Sequence, residues 1–189
     1  MKQKIIQALS QTKKQNITLT EAPLAPAAVL LPLYEKGGEY YILFTKRTEK
    51  MQYHKGQISF PGGARHEEDQ SLEDTALRET FEEIGVYPQD VEILGQLDSM
   101  ATISSSFLIA PFVGLIPYPY KFVINPDEIE ELVEVPISSL LDRNNYREEL
   151  QIHQGKSYWV YFYQYQGKVI WGATARILKQ FLDLVFGSD

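Results

Sequence analysis

The chain contains no cysteine, which excludes disulfides and thiolate metal centres and suits a reducing compartment. It also lacks any run of about 18 apolar residues, and the apolar part of its first residues, MKQKIIQALSQTKKQ, is too short for a secretory signal. These absences point to a cytoplasmic chain without a membrane span. There is no internal repeat, low-complexity tract or obvious interdomain linker. A broad basic surface is missing too: the formal net charge is −7, which argues against a general electrostatic grip on nucleic acid. An anionic substrate therefore needs a metal ion or a local cluster of cations.

What the chain does have is material for one core. Its 189 residues, 44% hydrophobic and 23% charged, include 12 Tyr, 9 Phe and 2 Trp, as expected of one globular unit. Residues 1–15 read as a lysine-rich amphipathic helix with Ile5, Ile6 and Leu9 on one side, and an irregular proline-bearing stretch follows to Pro26. We expect residues 1–25 to pack on the edge of a domain spanning 26–189. The stretch AAVLLPLYEKGGEYYILFTKR predicts two strands around Gly37-Gly38, since a tight hairpin needs positive φ at such positions. Two strands are expected at VEILGQLDS and FLIAPFVGLIPY, and a strand-turn-strand in SYWVYFYQYQGKVIW around Gln166-Gly167. The segment NPDEIEELVEVPISSLLD reads as a turn, an acidic stretch and a short helix, and GATARILKQFLDLVF as a closing helix. Strands and helices alternate without a regular βαβ rhythm, so the expected class is α+β, a mixed sheet between helices.

The chemistry concentrates in residues 56–86. Ser71, with Asp74 three residues on, predicts the start of a helix over 72–84, and Gly85 its end. At about 100° per residue, Glu79, Glu82 and Glu83 fall in one sector of this helix, and Leu77, Phe81 and Ile84 are expected opposite, toward the core. Like charges at i,i+4 destabilise an isolated helix. Ionised carboxylates at such spacing can hold a hard divalent cation, although three glutamates on a helix are ordinarily a solvated face. The preceding connection, GQISFPGGARHEEDQ, holds the pair Gly62-Gly63, which allows backbone to approach a metal or phosphate closely.

Residues 63–86 resemble the signature of the Nudix hydrolases: Gly, five residues, Glu, seven residues, then Arg-Glu-aliphatic-x-Glu-Glu-x-Gly-aliphatic. Here the second half is Arg78-Glu79-Thr80-Phe81-Glu82-Glu83-Ile84-Gly85-Val86. Asp69 replaces the first Glu, eight residues separate it from Arg78, and Thr80 replaces the aliphatic residue. These departures are similar to those of the subgroup that cleaves coenzyme A, as is the run Ser71-Leu72-Glu73-Asp74-Thr75-Ala76-Leu77-Arg78-Glu79. Upstream, Leu43-Phe44-Thr45-Lys46-Arg47-Thr48, His54, Gly56, Gln57 and Phe60-Pro61-Gly62-Gly63 also match that subgroup, except that Met51-Gln52 stand where it has Leu-Arg. Lys50 or Lys55 is then a substitute cation. With Asn125-Pro126-Asp127-Glu128 and Ile170-Trp171-Gly172-Ala173-Thr174-Ala175 downstream, the resemblance covers roughly residues 26–182.

The resemblance implies a Nudix-like α/β/α sandwich and hydrolysis of the pyrophosphate bond of coenzyme A or its derivatives. The products are 4'-phosphopantetheine and adenosine 3',5'-bisphosphate, and the cofactor is Mg2+ or Mn2+. It implies Glu79, Glu82 and Glu83 as metal ligands, Glu82 or Glu128 as general base, and Arg78 as the residue that orients the glutamates. Arg47, His54, Gln57, Gly62 and Gly63 are the implied substrate contacts. Asp69 is expected to cap the loop or bind peripheral metal weakly, and Trp171 with the tyrosines of 158–165 either to stack a base or to fill the core. Three alternatives stay open: a Nudix enzyme for another nucleoside diphosphate derivative such as ADP-ribose, a nucleotide sensor without turnover, and a protein-interaction domain with a solvated acidic face. A monomer and a homodimer are equally compatible with the sequence.

Overall fold

The computed structural model describes residues 1–11, 24–50, 55–102, 106–153 and 155–187. Eight strands form a mixed sheet: β1 (Ala25–Lys36), β2 (Glu39–Arg47), β3 (Ile58–Ser59), β4 (Gly62–Ala64), β5 (Glu92–Gln96), β6 (Met100–Ala101), β7 (Phe107–Leu115) and β8 (Ile129–Pro136). Its main path runs β3-β2-β1-β7-β5, with β4 also on β1, β6 on β7 and β8 on β2. The β1–β7 pair is parallel, while the β1–β2 pair is an antiparallel hairpin turned by Gly37 and Gly38 at φ 63° and 82°.

Strand β1 is buried on both faces, and the period-2 alternation of a strand divides its side chains between two cores. Leu31 and Leu33 enter the larger core, together with Ile42 and Phe44 of β2 and Val113 of β7. That core is closed by α1 (Lys2–Ser10) through Ile5 and Leu9 and by α4 (Gly172–Phe186) through Ile177, Leu178, Phe181 and Val185. On the other face, Ala28 and Leu30 pack with Ala76, and Tyr34 and Leu43 with Ile84, both from α2 (Leu72–Ile84). The result is the expected sandwich of a mixed sheet between helices.

A second sheet of three antiparallel strands stands beside the first: β9 (Tyr146–His153), β10 (Lys156–Tyr165) and β11 (Lys168–Trp171), in the order β11-β10-β9. The β10–β11 turn carries Gln166 and Gly167 at φ 48° and 77°. Strand β9 has no counterpart in the sequence reading, because its nearly continuous exposure removes the apolar alternation that marks a strand. The acidic stretch over 129–136 is also a strand, β8, with Val133 and Val135 buried. Its outward glutamates pair with lysines, Glu130 with Lys46 at 2.9 Å and Glu134 with Lys36 at 3.3 Å. The short α3 (Ile137–Leu141) follows. No helix among the described residues is long and apolar enough to cross a membrane.

Because Ile5 is fully buried in the main core, Ile5→Ala is expected to lower stability by about 2–4 kcal/mol. Urea unfolding of the full chain measures this, and a change within about 0.5 kcal/mol would mean that α1 adds nothing to the core.

Candidate active site

Helix α2 begins and ends as its sequence dictates. The Ser71 hydroxyl accepts from the Asp74 amide at 3.1 Å and donates to the Asp74 carboxylate at 2.9 Å, and Gly85 ends the helix at φ 71°. Of the apolar residues expected toward the core, Ile84 is fully buried and Leu77 half-buried, but Phe81 is not. Phe81 is 41% exposed and lies against Tyr87, whereas the core face consists of Thr75, Ala76, Thr80, Glu83 and Ile84. Small residues let the helix lie close to the sheet, and the threonine hydroxyls are satisfied locally: Thr80 donates to the Ala76 carbonyl at 2.6 Å and Thr75 to Asp69 at 2.9 Å. Reading the helix by its largest apolar side chains therefore rotates it wrongly.

As a consequence the three glutamates occupy three different environments, with side-chain exposures of 48% for Glu82, 15% for Glu79 and 2% for Glu83. Arg78 gathers the outer two: its Nη1 lies 2.8 Å from Glu79 and 3.1 Å from Glu82. The same guanidinium is held by Asp69 in a two-pronged contact, Nε to Oδ1 and Nη2 to Oδ2, both at 2.9 Å, and Nη2 also donates to the Ala64 carbonyl at 3.2 Å. Asp69 further accepts from the His66 amide and the Thr75 hydroxyl, each at 2.9 Å. The Arg78 contact above all holds this carboxyl well below the usual carboxylate range. Asp69 caps the loop through the His66 amide, as expected, and is in addition a buried anchor that ties the 64–69 loop to the middle of α2. Its position nine residues before Arg78, in place of the family's Glu, was the available signal.

Glu83 is the exceptional group. Its Oε1 is 3.7 Å from Arg47 Nη1, and its buried Oε2 has no hydrogen-bond partner among the described residues. Burial pushes its pKa up to about 8, and the charges of Glu79 and Glu128 push the same way, against Arg47 and the Gly62 amide. Burial likewise raises Glu79. Gly62 is required by space, and Gly63 lets the Glu79 carboxylate stand against the main chain. A Cβ on Gly63 would stand 2.6 Å from the Glu79 carboxylate, and one on Gly62, whose φ is 151°, would strike the Ala28 carbonyl on β1. Glu128 arrives from the loop that caps α2, where Val123 and Asn125 donate their amides to the carbonyls of Ile84 and Glu83 at 3.0 and 2.9 Å. The Asn125 side chain holds the Glu128 carboxylate at 3.3 Å.

Beside this cluster lies a groove of about 540 Å³ lined by Arg47, Gln57, Gly62 and Gly63 on one side and by β10, β11 and α4 on the other. The structure therefore brings together Arg47, Gln57, Gly62, Gly63, Arg78, the three glutamates and Glu128 on neighbouring elements. His54, Met51 and Gln52 lie outside the described residues. No three His, Asp or Glu side chains among the described residues are gathered tightly enough to hold a cation as they stand, since Arg78 occupies part of the carboxylate face.

A family model described as the NUDIX domain matches residues 23–153. The chain belongs to the Nudix family. It is 40% identical over 154 residues to the uncharacterized Nudix hydrolase NudL of Photorhabdus laumondii, covering 82% of this chain and 81% of that protein. With the NudL of Yersinia pestis it is 38% identical, covering 81% and 76%. Among solved structures, a MutT/nudix family protein from Enterococcus faecalis superposes with a TM-score of 0.57 at 17% identity, over 90% of this chain and 65% of that one. The Ap4A hydrolase of C. elegans gives 0.52 at 15% identity, over 62% and 84%. These two similarities bear on the fold alone. As a Nudix hydrolase the protein is a pyrophosphohydrolase for a nucleoside diphosphate derivative, and Nudix hydrolases generally use divalent metal ions.

An unfolded glutamate titrates near 4.5, whereas native Glu83 keeps its proton up to about 8. Between those values the native state holds the extra proton, so the Glu83 contribution to stability is full below about pH 4.5 and is lost as pH rises toward 8. The slope from this one group is at most about 1.4 kcal/mol per pH unit. Unfolding in chelator from pH 5 to 8 is expected to show stability falling more steeply in wild type than in Glu83→Gln, and parallel curves would refute the assignment.

Proposed function

We propose that this Nudix hydrolase cleaves the pyrophosphate bond of coenzyme A, giving 4'-phosphopantetheine and adenosine 3',5'-bisphosphate. The observation that carries this reading is the network around Asp69. The residues that set the coenzyme A subgroup apart in this stretch, Asp69, Ser71 and Thr75, act there as one unit: Asp69 binds both the Thr75 hydroxyl and Arg78, and Thr75 also donates to the Ser71 carbonyl at 3.2 Å.

The donor chemistry suits a divalent cation, although the carboxylates are not gathered around one as they stand. Among the described residues, one buried oxygen of Glu83 has no partner, and a buried carboxylate of this kind is stabilised when a cation meets it. We assign Glu79, Glu82 and Glu83 as the residues that would hold Mg2+ or Mn2+; hard, oxygen-preferring ions suit an all-carboxylate set. When bound, such an ion neutralises pyrophosphate oxygens and makes a water molecule more acidic. Arg78, fixed by Asp69, positions Glu79 and Glu82 and so acts through them. Arg47 lies between Glu83 and the groove, where its guanidinium can donate to phosphate, and Gly62 and Gly63 let the main chain meet the pyrophosphate closely. Water attacks one phosphorus, the bridging P–O bond breaks, and a carboxylate takes the water's proton. Glu82 and Glu128 are the two candidates for that base, one exposed and bound to Arg78, the other beside Glu83.

Coenzyme A hydrolysis with magnesium or manganese, products resolved by mass, tests this, with ADP-ribose as control and Glu83→Gln as variant. We expect 4'-phosphopantetheine from wild type and at least about a 100-fold loss of kcat in the variant. Cleavage of ADP-ribose alone would keep the chemistry and discard the substrate. Millimolar magnesium is also expected to raise the Tm of wild type and not of Glu83→Gln, because a ligand of the native state stabilises it. Of Glu82→Gln and Glu128→Gln, the one lacking the acidic limb of the kcat pH profile marks the base.

A further inference from the structure

The wall of the groove opposite the glycines is built from the second sheet and the start of α4, and β10, β11 and α4 all lie beyond the residues that match the family model. The strand register puts Tyr158, Val160 and Trp171 on one face of this sheet, since Phe162 pairs with Trp171 and alternate residues share a face. His153, which pairs with Lys156, shares that face. Trp171 is 46% exposed, a large aromatic ring left in water beside a candidate phosphate site. The basic side chains among the described residues lining the groove are Arg47, His153 and Arg176, and no Asp or Glu is among them, although the chain as a whole carries a charge of −7. An aromatic wall with cations and no carboxylate is complementary to a phosphorylated nucleoside: ring faces stack a base, and guanidinium and imidazole N–H groups bind phosphate. Arg176 donates from Nη1 to the Ala101 carbonyl at 3.3 Å, which occupies one of the five N–H donors of a guanidinium.

We propose that this wall is a subsite for the 3'-phosphoadenosine half of the substrate, with Trp171 stacking the adenine and Arg176 and His153 binding the 3'-phosphate. The inference rests on the coenzyme A reading and goes beyond it, because it assigns specificity to the C-terminal unit and not to the glutamate helix. It makes the ribose 3'-phosphate the group by which the enzyme separates coenzyme A from dephospho-coenzyme A and ADP-ribose, two molecules with the same adenine and pyrophosphate.

The test compares kcat/KM for coenzyme A and dephospho-coenzyme A, which differ only in the 3'-phosphate, in wild type, Arg176→Met, His153→Gln and Trp171→Ala. A charge-assisted contact of this kind corresponds to a preference of about tenfold or more. We expect wild type to favour coenzyme A by that ratio through KM, and Arg176→Met and His153→Gln each to bring the ratio toward one. Trp171→Ala is expected to weaken both substrates alike. Equal rates on the two substrates in wild type, or a preference untouched by both Arg176→Met and His153→Gln, would overturn the subsite while leaving coenzyme A hydrolysis in place. Failure to cleave coenzyme A at all would overturn both readings. His153 is exposed, so its variant tests the proposal even if Arg176→Met folds poorly.

Discussion

A carboxylate with one oxygen sealed from water and unpartnered is among the least stable arrangements a protein interior can hold. The organisation around α2 is best understood as what keeps Glu83 in that state. The helix lies close to the sheet because Thr75, Ala76 and Thr80 are small, and this closeness is what buries a glutamate one turn further on. Strand β4 passes close to the carboxylates because Gly62 and Gly63 carry no side chain, and at Gly62 a Cβ would strike the backbone of β1. Arg47 on β2 approaches from the sheet, and the Asn125–Glu128 loop closes the helix end. Remove the closeness and Glu83 becomes an ordinary surface acid.

The second organising contact is Arg78 with Asp69. A guanidinium that meets two oxygens of one carboxylate has its plane fixed, so the remaining N–H groups of Arg78 address Glu79 and Glu82 from a set direction. The loop and the helix are thereby joined through a charge network and not by apolar packing, which leaves this surface open to water and substrate.

Much of this was legible in the sequence, for identifiable reasons. The cap at Ser71, the stop at Gly85 and the hairpin at Gly37-Gly38 are local: a few residues determine each through hydrogen bonds or positive φ. The grouping of Glu79, Glu82 and Glu83 was legible from helical period. What escaped depends on partners distant in the chain. The burial of Glu83 and the exposure of Phe81 follow from how near α2 lies to β1, and no property of residues 72–84 taken alone reports that distance. Strand β8 was hidden because its glutamates are paired with lysines of β1 and β2 and so tolerated in a sheet, and β9 because it has almost no buried side. The wall formed by Tyr158 and Trp171 is composed of aromatics that, in sequence, look the same as the buried Tyr163 between them.

The parallel pairing of β1 with β7 joins Ala25 to Phe107, and everything between, including β2, β4 and α2, is enclosed in that span. Contacts so distant in sequence require a long loop to be closed before they reward it, and they slow folding. Strand β4 and α2 dock on β1 from within that span, whereas Glu128, whose charge bears on Glu83, comes from beyond β7. The carboxylate cluster thus draws on chain from both sides of the parallel pairing, so a polypeptide severed between α2 and β7 would carry the glutamate helix without the last of its acidic neighbours.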